Sequence, residues 1–178
     1  QLTAGQRYYW GVELMVGAQH YAESASFVAQ AVDLGTPYNG VTLITHGFDL
    51  NASIGDPAFQ NPEQFVALGR LIAEASGGGV VLLYNKNTGQ WHDAANPAKT
   101  GASALQDGKA VVLVADWRKE SDISDSGFSE AAADAMYASL VALNRDTGGK
   151  LFASPLHLIG HSRGTVVNSE IAQRLGVW

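Results

Sequence analysis

Apolar runs of five or six residues recur along the chain, with polar stretches between them. The runs are rich in valine, leucine and isoleucine and are too short for helices, so they predict buried β-strands. The predicted strands cover residues 41–45, 80–84, 110–115 and 155–159. Near the start of the chain, residues 7–10 and 12–16 also fit strands.

Other segments carry hydrophobic residues at the three- and four-residue spacing of amphipathic helices. On this basis helices are predicted over residues 21–34, 130–145 and 165–175. A further helix is predicted to begin at Asn61-Pro62, because asparagine caps helices and proline favours the first helical position. It is predicted to end where Ser-Gly-Gly-Gly occupies residues 76–79.

The alternation of buried strands and helices predicts an α/β fold, a mainly parallel sheet with flanking helices. Ligand sites of such sheets lie beyond the carboxyl ends of the strands. Two loops take that position: residues 46–48 follow the strand at 41–45, and residues 160–164 follow the strand at 155–159. We therefore expect the two loops to belong to one site.

The second loop reads Gly-His-Ser-Arg-Gly at residues 160–164 and fits the pattern Gly-x-Ser-x-Gly. Between a strand and a helix this pattern predicts a nucleophile elbow, a sharp turn that exposes a serine hydroxyl. Gly160 and Gly164 leave room for the turn. The residue after the serine, Arg163, can donate its backbone N–H to an oxyanion, and Phe48 in the first loop is well placed to donate the second.

Composition narrows the classes of function. The 178 residues are 46% hydrophobic and 16% charged with a net charge of −6, which is typical of one soluble globular domain. Lysine and arginine are scattered, so no nucleic-acid partner is expected. The absence of cysteine excludes a disulfide framework, a cysteine nucleophile and thiolate metal sites. No apolar run is long enough for a transmembrane segment.

No cofactor and no metal are expected. The histidine, aspartate and glutamate residues show no convincing metal-ligand spacing, and residues 77–79 end a predicted helix instead of opening one around a phosphate. The acidic balance is compatible with a soluble, exported protein, and the compartment stays open.

Three segments in succession resemble signatures of α/β-hydrolase lipases, most closely the pancreatic and lipoprotein lipase type. They are residues 42–48, 112–117 and 156–162, which fall in that family's order at the third, fourth and fifth strands. The resemblance covers about residues 40 to 176 and implies the α/β-hydrolase fold. Residues 80–108 then look like an added hairpin and loop that borders the site.

The resemblance also implies a role for each matching residue. Ser162 is expected as the nucleophile, with an oxyanion hole formed by the backbone N–H groups of Phe48 and Arg163. Asp116 and Trp117 are expected to be structural. The residues expected to support the elbow and its loop are His46, Gly47, Gly160, His161 and Gly164.

The family's catalytic order is serine, then an acid, then histidine. No histidine follows Ser162, and Glu170, in a predicted helix, is the one acidic residue after it. Residues 1–178 are therefore expected to be a single, incomplete hydrolase domain, truncated after the nucleophile helix. The acid and the histidine are expected beyond residue 178, in a later segment or a complementary second chain. The upstream histidines, which are not expected to replace them, are His20, His46, His92, His157 and His161.

The leading hypothesis is a serine hydrolase that acts on carboxylic esters, lipase- or esterase-like, through an acyl-enzyme on Ser162. Its substrate would be an ester or lipid-like small molecule, and this portion alone would be inactive. Two alternatives stay open. One is a non-catalytic hydrolase-like module used for binding or as a scaffold. The other keeps the elbow for a peptidase, thioesterase or acyltransferase, since the fold does not choose among these reactions.

Overall fold

The computed structural model describes residues 6–16, 19–28, 37–47, 63–117, 121 and 127–176. The chain divides into two compact units, Gln1–Asp33 and Leu34–Trp178, and each is described by itself. Whether the chain is one incomplete domain, as its sequence predicts, stays a prediction.

The first unit contains an antiparallel pair of strands, β1 (Arg7–Val16) and β2 (Gln19–Val28). The strands predicted at 7–10 and 12–16 are confirmed and form one continuous strand. The helix predicted over 21–34 is wrong for residues 21–28, which belong to β2, and its remainder lies outside the described residues. Exposure of Ala22, Ser24 and Ser26 at every second position shows the two-residue period of a strand.

The second unit is built on a five-stranded sheet with the order β5-β4-β6-β3-β7. Strands β3, β4, β6 and β7 are parallel, and β5 pairs antiparallel with β4 at one edge. The strands are β3 (Val41–Thr45), β4 (Gly79–Asn85), β5 (Gln90–Asp93), β6 (Ala110–Ala115) and β7 (Leu156–Gly160). The mainly parallel sheet with flanking helices confirms the predicted α/β class.

Helices connect the strands and cover both faces of the sheet. They are α1 (Glu63–Ala75), α2 (Phe128–Asp146), the short α3 (Lys150–Ala153) and α4 (Arg163–Leu175), with a 3₁₀ turn at Gly101–Ala104. The helices predicted at 130–145 and 165–175 are confirmed with slightly wider bounds. The helix predicted to begin at Asn61-Pro62 corresponds to α1. Asn61 and Pro62 themselves lie outside the described residues.

Alternate residues of the central strands enter two different cores, as the two-residue period of a strand requires. Leu43 and Leu113 pack with side chains of α2 and α4, including Met136 and Ile171. Their neighbours point to the opposite face, where Ile44, Val112 and Val114 pack with Val66 and Ala73 of α1. Both faces of β3 and β6 are buried, so these strands read as continuous apolar runs in the sequence.

The hairpin predicted within residues 80–108 is confirmed, because β4 pairs antiparallel with β5, from Leu82 opposite Asp93 to Asn85 opposite Gln90. The residues predicted to be an added hairpin are thus an integral part of the sheet, with β4 running parallel to β6. Trp91 anchors β5 to α2 by donating its indole Nε1–H to Ser139 Oγ at 3.2 Å. The description of this segment as an addition to the lipase pattern stays a prediction.

Among the helices in the described part of the chain, none is both long enough and apolar enough to cross a membrane.

Candidate active site

The sheet register places the carboxyl ends of three neighbouring strands side by side. Thr45, the last residue of β3, lies opposite Ala115 of β6 on one side and Gly160 of β7 on the other. Because the strands are parallel, the loops that follow them emerge together. The backbone N–H of His161 donates to Thr45 O at 3.0 Å and joins the two loops that the sequence predicts to share a site.

Ser162 occupies a strained backbone conformation between β7 and α4. Its φ is 52° and its ψ is −122°. Every other described residue with a positive φ is a glycine. An L-residue with a side chain in this region costs about 1–3 kcal/mol, which the surrounding structure must offset. The sequence therefore places a serine where glycine would be the relaxed choice.

The ordinary reason for a serine at this position, capping the helix, does not apply. An N-cap residue adopts extended φ and ψ, and its side-chain oxygen accepts an N–H from the first turn. Ser162 precedes α4 but makes no side-chain cap hydrogen bond. Instead Gly164 N donates to His161 O at 2.9 Å and Thr165 N to Ser162 O at 3.0 Å. Ser162 is exposed, and its Oγ has no hydrogen-bond partner among the described residues.

Glycines surround the turn because backbone atoms pass too close for a side chain. A Cβ on Gly160 would lie 2.8 Å from Gly164 O, and a Cβ on Gly164 would lie 2.2 Å from Thr45 O. In the neighbouring loop, a Cβ on Gly47 would lie 2.5 Å from the Cβ of Ser162. The pattern Gly-x-Ser-x-Gly and the His-Gly pair thus meet at one point, with the serine between the two loops.

His46 is held by Trp117, which follows the neighbouring strand β6. Trp117 donates twice, from its backbone N–H to His46 Nε2 at 3.1 Å and from its indole Nε1–H to His46 O at 2.9 Å. Both residues are buried. Since Nε2 accepts a hydrogen bond, Nδ1 carries the proton and donates to Gly47 O at 2.9 Å. This neutral tautomer fixes the loop, and its Nε2 is not directed at Ser162.

Asp116 lies beside this pair, with Oδ1 3.9 Å from His46 Nε2 and a side chain that is 20% exposed. That separation is too long for a hydrogen bond, so the contact is electrostatic at most. Asp116 also lines two clefts near the carboxyl ends of the strands, with volumes of about 450 and 1080 Å³. Tyr84, Lys86 and Asn87 line both clefts as well, whereas Ser162 lines neither.

Tyr84 lies on β4, and partial burial raises the pKa of its phenol above the ordinary value of 10.0. Its ring lies 5.1 Å from that of Trp91, centroid to centroid. Apart from its position in a predicted hairpin, nothing in the sequence indicates this aromatic pair.

Arg163 contributes both its backbone and its side chain. Its backbone N–H follows the serine, at the position that serves as oxyanion donor in a nucleophile elbow. Its guanidinium Nη1 donates to Ser121 O at 3.1 Å. Ser121 was not singled out by sequence reasoning, and no motif pointed to it. Phe48, predicted as the second oxyanion donor, lies outside the described residues.

None of the described histidines forms a hydrogen bond with Ser162 Oγ. His92 lies on β5, four strand positions from β7, which is about 19 Å across the sheet at ~4.8 Å per strand. His157 lies within β7, about 10 Å before Gly160 at ~3.3 Å per residue. A general base must come within about 3 Å of the hydroxyl or act through one water. Neither residue meets that requirement in this geometry.

A buried polar pair also supports the elbow and was missed by sequence reasoning. Thr45 Oγ1 donates to Asn168 Oδ1 at 2.7 Å and ties the end of β3 to α4. In the described part of the chain, no group of three or more histidine, aspartate and glutamate residues is arranged to hold a metal ion.

Comparison with protein-family models, with curated proteins and with solved structures found no match to this chain. The resemblance to lipases therefore rests on the motifs themselves.

Proposed function

We propose that this chain carries the nucleophile portion of a serine hydrolase of the α/β-hydrolase fold, acting on carboxylic esters. The observation that carries the proposal is the backbone of Ser162, with φ 52° and ψ −122° between a parallel strand and a helix. A strained residue persists only where its neighbours hold it, and such strain clusters at active sites. Glycine would relieve the strain, so the serine is explained by its hydroxyl.

The reaction would begin with attack of Ser162 Oγ on the ester carbonyl carbon while a base accepts the hydroxyl proton. The ester C–O bond then breaks, the alcohol leaves with that proton, and the acyl group stays on Ser162. Water, deprotonated by the same base, attacks the acyl-enzyme and releases the carboxylic acid and the free serine. The backbone N–H groups of Arg163 and Phe48 would stabilise the oxyanion at each attack, each worth roughly 2.7–4 kcal/mol.

The base is proposed to come from residues beyond Trp178 or from a complementary polypeptide. Three upstream histidines are not placed to act as this base, because His46 accepts from Trp117 at Nε2 and because His92 and His157 are too distant. Strand β7 ends the sheet order on the side of the nucleophile, and Leu156 on it is 41% exposed. A further strand pairing there would bring its own carboxyl end beside Ser162.

Hydrolysis of 4-nitrophenyl esters of graded acyl length by the complete gene product tests this function. We expect turnover with esters, and we expect Ser162→Ala to reduce kcat by several orders of magnitude. Parallel assays with a thioester and an anilide substrate separate the esterase from the thioesterase and peptidase alternatives. Trapping of the acyl group by an added alcohol would indicate acyl transfer.

A second candidate is a non-catalytic hydrolase-like module for binding or scaffolding. It is favoured by one observation, that His46, His92 and His157 are not placed to act as a base for Ser162. A folded gene product that hydrolyses none of these substrates would support the module.

A further inference from the structure

The side chain of Arg163 is connected back to its neighbour Ser162 by a series of contacts that passes through the ends of three strands. Arg163 Nη1 donates to Ser121 O at 3.1 Å, and Ser121 N donates to Trp117 O at 2.8 Å. Trp117 then holds His46 through two hydrogen bonds. We call this series the contact ring; it consists of Arg163, Ser121, Trp117, His46, Gly47 and Ser162.

The last step of the contact ring returns to the nucleophile. His46 Nδ1 donates to Gly47 O at 2.9 Å, and Gly47 packs so closely on Ser162 that a Cβ on it would lie 3.1 Å from Oγ. The contacts therefore join the loop after β3, the segment after β6 and the turn after β7 into one assembly.

Burial makes the links of the contact ring sensitive to substitution. Ser121 is 0% exposed and Trp117 is 3% exposed. A hydrogen bond in such buried surroundings is electrostatically stronger than one exposed to water. The guanidinium of Arg163 supplies a charged donor to the buried carbonyl of Ser121.

We propose that the Arg163 side chain is a positioning residue for the reaction at Ser162. Through the contact ring it sets the position of His46 and Gly47, the residues that follow β3, relative to Ser162. The guanidinium acts on protein groups, while the backbone N–H of the same residue faces the oxyanion. The inference rests on the proposed function, and it assigns the arginine a task separate from that of its backbone.

The two tasks can be separated because substitution of the side chain leaves the backbone N–H in place. Arg163→Met keeps an unbranched stem and removes the donors, whereas Arg163→Lys keeps a charge and a donor on a shorter reach. Misplacement of a catalytic group by about 1 Å costs about 100-fold in rate. We therefore expect Arg163→Met in the complete gene product to lower kcat by about 10- to 100-fold with KM unchanged. Arg163→Lys should recover part of the loss.

Arg145→Met provides the matched control. Arg145 is exposed on α2 and contacts Asp146 instead of the contact ring. This variant should retain the kcat and KM of the wild type. Urea unfolding of all variants shows whether a change in kcat reflects a change in global stability.

Coupling within the contact ring is tested with Trp117→Phe, which removes the indole donor to His46 O and keeps an aromatic ring. If Trp117 and Arg163 act on the same loop, their effects should not add. The double variant Trp117→Phe/Arg163→Met should then lose little more activity than the more impaired of the two single variants. Losses that multiply would mean that the two side chains act independently, and they would overturn the inference.

The outcomes separate the inference from the proposed function. Wild-type turnover that depends on Ser162, together with an Arg163→Met variant of unchanged kcat, overturns the positioning role and leaves the hydrolase standing. Absence of Ser162-dependent turnover in the wild type refutes the hydrolase, and the positioning role falls with it. If Arg163→Met does not fold, Trp117→Phe alone decides: a drop of about tenfold or more in kcat supports the contact ring, and an unchanged kcat contradicts it.

Discussion

Gly47 and Ser162 lie so close together that a Cβ on the glycine would be 2.5 Å from the Cβ of the serine. Real side-chain carbons do not approach so closely, so only glycine fits opposite Ser162. The two residues follow β3 and β7, which are adjacent parallel strands. Their contact joins the turn that exposes the hydroxyl to the loop proposed to continue into the oxyanion hole.

Gly47→Ala is expected to destabilise the protein by roughly 1–3 kcal/mol, because the added methyl group forces the two loops apart. The effect should be steric, since Gly47 is not among the glycines with positive φ. Gly176→Ala is the control, because its Cβ would meet no atom closer than 3.5 Å. Urea unfolding measures both variants. Equal stability of the two would show that the predicted crowding at Gly47 is absent.

Substitution of Ser162 tests its strain directly. Ser162→Gly is expected to raise the free energy of unfolding by about 1 kcal/mol, because glycine relaxes at positive φ. Ser162→Ala should leave stability nearly unchanged, because it keeps the strain and removes a hydroxyl without a hydrogen-bond partner among the described residues. A helix-capping serine would behave in the opposite way, with a loss of about 1 kcal/mol in the alanine variant. Urea unfolding distinguishes the two patterns.

Removal of the distant histidines should leave catalysis intact. His92→Gln and His157→Gln are expected to retain kcat within about twofold, because neither side chain lies within the ~3 Å that proton transfer requires. Ester hydrolysis at neutral pH measures the effect. A loss of catalysis in either variant, without loss of stability, would identify that histidine as the base and refute the proposal that the base lies elsewhere.

Tyr84 should make the folded state sensitive to alkaline pH. Burial raises the pKa of its phenol above 10.0, so the unfolded chain releases this proton first as pH rises. The stability that neutral Tyr84 contributes is fully present below pH ~10 and is lost as pH climbs through the folded pKa. Tyr84→Phe should flatten the decline in unfolding free energy above that pH. If the unfolding free energy of Tyr84→Phe falls as steeply above pH ~10 as that of the wild type, Tyr84 titrates like a solvated phenol.

Much of the second unit could be predicted from local pattern. Strands β3 and β6 are buried on both faces, so their apolar runs are unbroken and easy to recognise. The segment over 21–28 misled the prediction, because Phe27 and Val28 fit a helical stripe with later residues. This segment pairs along its whole length with β1, the strand that ends three residues before β2 begins, and such cross-strand pairing overrides local propensity.

The candidate site was predictable only in part. Gly-x-Ser-x-Gly and His46-Gly47 could be found because tight approach demands glycine, which leaves a mark in the sequence. The link from Arg163 to Ser121 left no such mark, since a backbone carbonyl accepts a hydrogen bond whatever its side chain. The order of strands also decided which loops meet, and local pattern carries no information on that order.

The most direct measurement is covalent labelling of the complete gene product with a fluorophosphonate probe, with the site located by mass spectrometry of the digested protein. We expect one modified peptide with the label on Ser162, and no label in Ser162→Ala. A folded protein that resists the probe, or a label that persists in Ser162→Ala, would contradict the claim that Ser162 is the nucleophile.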